Sequence, residues 1–422
     1  MASIARKNLF EDIPRCLVAQ AGIMFAVSLI TIQKGILDGF THSTVRLIEQ
    51  STADLWVAHK SMEYLELTSS LSVEQLLKVR GGNGRPGVKG VEYAEALSIH
   101  GTRWRAPNGQ IENVRIFGFN PDGQLFGHWN MTQGQISSLK TPYTLITDKA
   151  NISNLGLKQI GETGEISSLP ATLVGLSRNT QSMASSPYVY ASLESTNAYL
   201  FGGLSAKVNC KVVAGDLQCL NEFEADSKTP SKLFDPKPPR RLNLSDPITY
   251  ILVKAAPGQD IQELRKNLEA ALPDTRAYTT QEMVDRTRTY WYERTGVGFI
   301  LGLGAIVGFV VGIVVVSQIL YSSVSDHLKE FGTLKAMGAS DWVIYRVITE
   351  QALWMAVLGY LPSIILCIGL GAWTVATRGI IILITPATAF GVFGLTVVMC
   401  VGSALFAIQK VTHIDPAIVF KA

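Results

Sequence analysis

Thr295–Ser325 reads TGVGFILGLGAIVGFVVGIVVVSQILYSSVS and contains no Asp, Glu, Lys or Arg. A hydrocarbon core about 30 Å thick needs roughly 20 helical residues. This stretch supplies them with some to spare, and it is apolar on every face, as a buried or lipid-facing helix is. Three other stretches are equally free of charge: Cys16–Gln33, Gln351–Thr377 and Gly379–Gln409. Across 422 residues 47% are hydrophobic and 17% charged, but it is the clustering of the charges that predicts four membrane spans. The net charge of +3 has no long basic or acidic block behind it, which excludes a nucleic-acid face.

The first stretch has a rival reading as a cleaved signal peptide. Its apolar segment LVAQAGIMFAVSLITI exceeds the usual signal core of about 7–15 residues, and QKGILDGF after it holds no small-x-small cleavage site. A retained span is expected, preceded by RKNLFEDIPR as an amphipathic helix lying on the membrane before Pro14 turns the chain inward. Arg6, Lys7 and Arg15 precede span one. Lys329, Lys335 and Arg346 lie between spans two and three, Lys410 and Lys421 follow span four, and the loop between spans three and four holds Arg378 alone. The positive-inside rule then places both termini in the cytoplasm and the long segment after span one outside.

The expected organisation is a cytoplasmic amphipathic segment at 1–14, a first span at 15–34 and an extracytoplasmic α+β domain at 35–293. Span two at 294–324, a cytoplasmic loop at 325–346 and span three at 347–377 follow. The chain closes with an external loop at 378–387, span four at 388–410 and a cytoplasmic tail at 411–422. Within the external domain DLWVAHK, SVEQLLKV and VEYAEALSI read as strand, helix and strand; ITYILVKA and DIQELRKNLEAAL read as strand and helix. Ile261, Leu264, Leu268 and Leu272 make one helical stripe, and Asp260 stands at its N-cap. Both halves fit a split β-α-β arrangement. From about 120 to 243 short runs such as YTLIT, YVYASL and KVNCKVVAG alternate with Gly, Asn and Ser, which predicts an inserted, mostly β subdomain. RGGNGRPGVKG reads as a glycine-rich turn and SKTPSKLFDPKPPRR as a return linker.

Chemistry is sparse. There is no G-x-S-x-G, H-E-x-x-H or C-x-x-C, and no Walker A sequence. The six histidines are scattered singly, which predicts no metal site, and paired carboxylates such as Glu63 and Glu66 read as solvated faces. The span interiors carry no ionisable side chain, which argues against ion coupling and for a machine driven by a partner. Gly304, Gly308 and Gly312 recur every four residues, a spacing that packs helices closely either between two copies or within one chain. Cys16, Cys367 and Cys400 fall in spans; Cys210 and Cys219 flank KVVAGDLQ in the external segment, either as a disulfide across a hairpin or as two thiols.

The loop SVSDHLKEFGTLKAMGASDWVIYRVITEQ resembles that of the FtsX/MacB/LolE class of ABC permeases, with its Glu-x-Gly-x-x-Lys-Ala-x-Gly-Ala-Ser motif. Glu330, Gly332, Lys335, Ala336, Gly338, Ala339 and Ser340 stand in those places. Asp415, Pro416 and Ala417 match the class's terminal Asp-Pro-Ala signature. The start of the chain is similar to DevC-type permeases. The resemblance implies an α-helical membrane protein with four transmembrane helices and a large α+β extracytoplasmic domain, working as an export permease by mechanotransmission. It implies further a separate ABC ATPase that binds ATP and Mg, a second copy of the chain, a membrane-fusion protein and an outer-membrane channel, in a bacterial inner membrane. An FtsX-like signalling scaffold for an envelope hydrolase and a lipoprotein-release permease share the same fold and stay open. Read on its own residues, Gly338-Ala339-Ser340 ends one helix and Asp341 begins the next, either a compact knob for a partner to push or a solvated charged loop that merely orients the spans.

Overall fold

The computed structural model describes residues 13–81, 86–201, 205–213, 216–224, 238–378 and 381–412. Most of the expected N-terminal amphipathic helix, most of the Pro-rich linker, part of the glycine-rich turn and the tail with Asp415, Pro416 and Ala417 lie outside those residues. The chain divides into two compact units, 1–40 with 295–422, and 41–294.

Helix α1 spans Ile13–Glu49 and so runs well past the last residue of its charge-free stretch. The unit that follows begins with β1 (Leu55–His59), β2 (Leu71–Ser72), α2 (Val73–Arg80), β3 (Val91–Arg105), β4 (Ile111–Phe119), β5 (Met131–Gln133) and β6 (Thr144–Asp148). It continues with β7 (Thr163–Ile166), β8 (Leu169–Ser177), β9 (Tyr188–Ser192), α3 (Leu193–Phe201), β10 (Ser205–Val213), β11 (Asp216–Glu224), β12 (Pro247–Ile248), β13 (Tyr250–Ala255), α4 (Ile261–Ala271), β14 (Thr275–Thr279) and α5 (Thr280–Arg294). The helices start where capping chemistry places them. Ser72 and Gln75 form a reciprocal capping box on α2, and the Asp260 carboxylate accepts from the Gln262 N–H at 3.0 Å on α4.

A ten-stranded sheet in the order β14-β1-β13-β3-β4-β9-β6-β8-β5 organises this unit, with β7 joining β3 to β8. Its first four strands and the helices α2 and α4 make the split β-α-β arrangement expected from the sequence. Strand β1 is buried on both faces. Leu55 and Val57 join the cluster beneath Leu264 and Leu268, while Trp56 and Ala58 join Phe117, Tyr250 and Met283 on the other side. The inserted part starts earlier than the expected residue 120. Strand β3 pairs with β13 up to Leu97 and with β4 from Ser98, so one strand serves both parts and the sheet never breaks between them. Nothing in VEYAEALSI marks this change, because a strand alternates in the same way whichever neighbour it pairs with.

A polar cluster holds one of the loops of this unit. Arg240 donates both terminal guanidinium N–H groups to Asp246, at 2.6 and 2.7 Å, and the Asn243 N–H adds a third bond at 2.7 Å. The Arg240 hydrogen bonds hold the Asp246 carboxyl below the usual carboxylate range. A carboxyl held low in the folded state stabilises it above its unfolded pKa and loses that contribution as pH falls through the folded value. Thermal unfolding of the protein is therefore expected to show a falling midpoint below about pH 4. Asp246→Asn is expected to flatten that part of the profile while lowering the midpoint at neutral pH. An unchanged acid limb in the variant would show that Asp246 contributes nothing.

The second unit consists of α1 as far as Phe40 with α6 (Val297–Asp326), α7 (Leu328–Ala336), α8 (Asp341–Arg378) and α9 (Pro386–Thr412). Four of these helices (α1, α6, α8 and α9) are long and apolar enough to cross a membrane. Helix α9 starts on a Thr385 cap with Pro386 at its first position, where a missing N–H costs nothing. Ala19, Ile23 and Val27 of α1 meet Val316 and Leu320 of α6, Ile348 and Met355 of α8, and Met399 of α9 in one apolar cluster.

The glycine rhythm of α6 is filled from within the chain. A Cβ on Gly304 would strike the Gln33 amide, one on Gly308 would lie 3.2 Å from Leu29, and one on Gly312 would lie 3.0 Å from Ala26 and crowd Met399. Of the two packing alternatives, the intrachain one thus occupies these glycines. A second small-residue notch, Gly35 and Gly39 on α1, receives the extended residues 381–383, with the Leu383 N–H bonded to the Gly35 carbonyl at 2.9 Å.

Candidate coupling site

The seven motif residues lie together on α7 and the turn after it. His327 ends α6 and begins α7, and its ring nitrogen stands 3.2 Å from the Glu330 carboxylate one turn on. Helix α7 stops at Ala336. The Met337 N–H reaches the Thr333 carbonyl at 3.0 Å and the Gly338 N–H the Lys335 carbonyl at 3.1 Å. Gly338 then takes φ +92°, a left-handed conformation that glycine adopts without penalty, and α8 begins at Asp341. This is the stop and restart that the residues themselves predict.

The side chains divide into an inward and an outward set. Phe331 is 2% exposed and shares the apolar cluster of Val324, Ile344 and Ile348; Gly332 is buried beside it. The Lys335 ammonium lies 3.0 Å from the Asp341 carboxylate, so this motif lysine bridges the end of α7 and the start of α8 across the turn. Such a pair contributes about 0.2–1 kcal/mol and chiefly fixes geometry. Glu330, Gly338 and Ser340 are exposed. So are Met337 and Trp342, at 72% and 75%, two large apolar side chains that face outward from the knob. Sequence reasoning passed over both, because they fall outside the motif. Their flanking of an αL glycine was the available signal.

A second site was also missed. Glu66, expected on a solvated face, has a side chain only 3% exposed. Its carboxylate accepts from Tyr188 Oη at 2.5 Å, Ser185 Oγ at 2.7 Å and Arg115 Nε at 2.8 Å. Burial, followed by the neighbouring Glu66 charge, pushes the Tyr188 hydroxyl well above its ordinary pKa. These bonds tie β4 and β9 to the loop that carries Glu66.

The backbone of β10 and β11 pairs Cys210 with Cys219; the side chains of both strands lie outside the described residues. Cys16, Cys367 and Cys400 are free.

Residues 17–271 match the family model of the MacB-like periplasmic core domain, and residues 302–416 match the FtsX-like permease C-terminal model. The chain belongs to the MacB-like class of ABC permeases. Membership makes it a multi-pass membrane protein with a periplasmic domain built on the sheet described above. Among curated relatives, the pyoverdine export ATP-binding/permease protein PvdT of Pseudomonas syringae pv. syringae (strain B728a) is 24% identical over 205 residues, covering 48% of this chain and 30% of PvdT. The PvdT of Pseudomonas savastanoi pv. phaseolicola (strain 1448A / Race 6) is 28% identical over 116 residues, 28% of this chain and 18% of that protein. The chain therefore spans less than a third of the length of these relatives. The periplasmic region of MacB from Actinobacillus actinomycetemcomitans aligns with a TM-score of 0.33 at 8% identity, covering 56% of this permease and 92% of that structure. The extracellular domain of the noncanonic ABC-type transporter YknZ from Gram-positive bacteria aligns at 0.33 and 12%, covering 54% and 99%.

Proposed function

We propose that this permease couples a separate cytoplasmic ABC ATPase, which binds ATP and Mg, to movement of its periplasmic domain, and that it exports a lipid-like or other amphiphilic substrate by mechanotransmission. The observation that carries this reading is the knob at residues 330–342. Its inner side is locked to the spans through Phe331, while its outer side offers Met337, Trp342 and Glu330. A rigid body with an apolar tip is what a partner needs in order to push on the membrane helices, because a flexible loop would absorb the motion. Two distinct sites, the knob and the periplasmic domain, are what make the coupling allosteric.

In this reading both termini are cytoplasmic, the permease acts as a homodimer in contact with membrane lipids, and a membrane-fusion protein leads to an outer-membrane channel, as in a DevC-type system. The curated relatives are named for export, and that supports transport over a signalling scaffold. The test is co-purification from detergent. The wild-type chain is expected to bring down an ATPase together with a fusion protein, and the double variant Met337→Asp/Trp342→Asp to lose the ATPase about tenfold or more while keeping the fusion protein. Retention of the ATPase by the variant would overturn the docking role of the knob. Recovery of a cell-wall hydrolase in place of the fusion protein would move the permease to the signalling class.

A further inference from the structure

Strands β10 and β11 form a two-stranded sheet of their own, and neither pairs with any other strand among the described residues. A hairpin alone is marginally stable in water. This one is nine residues long on each side, from Ser205 opposite Glu224 to Val213 opposite Asp216. It lies inside the span matched by the MacB-like periplasmic model. A covalent link between the strands would hold it beyond the ladder's own hydrogen bonds.

The register supplies a means. Only residues 214 and 215 separate Val213 from Asp216, and a two-residue hairpin link is closed by a hydrogen-bonded pair. Hydrogen-bonded and non-hydrogen-bonded pairs alternate along an antiparallel ladder. Counting from the closing pair, Val212 opposite Leu217 is non-hydrogen-bonded, Lys211 opposite Gln218 is hydrogen-bonded, and Cys210 opposite Cys219 is non-hydrogen-bonded. At such positions the two Cα atoms stand about 4.5 Å apart, the closer of the two spacings. That lies within the range of about 4.4–6.8 Å spanned by disulfides. A shift of one residue in either strand would have removed the match.

We propose that Cys210 and Cys219 form a cross-strand disulfide that staples the β10–β11 hairpin. The inference rests on the periplasmic placement of this domain, since the periplasm is where disulfides form and persist. The oxidant is a disulfide-bearing thiol oxidase. One cysteine thiolate attacks its disulfide sulfur, giving a mixed disulfide and releasing the oxidant's other thiolate. The second cysteine thiolate then displaces the remaining sulfur. The hairpin's S–S bond forms, two protons and two electrons leave the cysteines, and the oxidant departs as a dithiol.

The test is performed on the full-length chain in membranes. Unfolding in N-ethylmaleimide without reductant, then digestion and mass spectrometry, is expected to leave Cys210 and Cys219 unlabelled and their peptides joined. Prior reduction should make both react, and Cys210→Ser should leave Cys219 reactive. Labelling of both wild-type cysteines without reductant would overturn the proposal, as would a bridge found only between two chains. Reduced spheroplasts treated with a membrane-impermeant maleimide test placement separately, because labelling there requires an outside location whether or not the bridge forms natively. The stapling role has its own readout. Reduction is expected to speed tryptic cleavage at Lys207 and Lys211 about tenfold or more, since proteolysis follows the open population. An unchanged rate would remove that role even if the bridge exists.

Discussion

Gly338→Val is expected to leave the permease in the membrane and bound to its ATPase, while export falls by about 5–150-fold, the range of a typical coupling free energy of 1–3 kcal/mol. The position is exposed and a Cβ there would meet nothing within 4 Å, so steric crowding is not the cause. The cause is φ +92°, a conformation that costs a β-branched residue about 1–3 kcal/mol. The turn would relax by moving Met337 and Trp342 relative to the Lys335–Asp341 bridge, so the knob would keep its chemistry and lose its fixed orientation. Paired measurements of ATP hydrolysis and export in reconstituted vesicles check this. Hydrolysis should persist while export drops; export at the wild-type level would show that the αL turn is not needed for coupling. Gly338→Asn provides the control, because Asn tolerates αL far better than Val and should retain most of the export.

Glu66→Ala is expected to cost the periplasmic unit about 3–5 kcal/mol, the usual penalty for breaking a buried ion pair. That is a large share of a domain's net stability of about 5–15 kcal/mol. The loss exceeds that of the Arg115 contact alone, because the Tyr188 and Ser185 hydroxyls also lose their acceptor inside the fold. Glu66→Gln preserves the shape and one carbonyl acceptor, and should cost distinctly less. Chemical denaturation of the two variants measures the difference. Equal, small losses in both would mean that Glu66 is solvated after all, as its sequence context suggested.

The sequence by itself determined the four spans, because an uncharged run of that length has one physical use. It also determined the cap at Asp260, the stripe of α4 and the break at Gly338, since each depends on residues a few positions apart. What it could not specify was the neighbour. The glycines of α6 have the same spacing whether they meet a second copy or α1 and α9, and only the folded chain places Ala26, Leu29, Gln33 and Met399 against them. Glu63 and Glu66 sit in similar polar stretches. Yet Glu66 is buried because Arg115 arrives on β4, and Ser185 and Tyr188 on β9 and the loop before it, from far along the chain. Phe331 and Met337 are both apolar residues of one short helix and its turn, and the spans decide that the first is covered and the second is left outward. Periodicity states which face of an element is to be buried; tertiary structure supplies what buries it, and with it the partners that turn a charge into a structural pin or an apolar side chain into a contact surface.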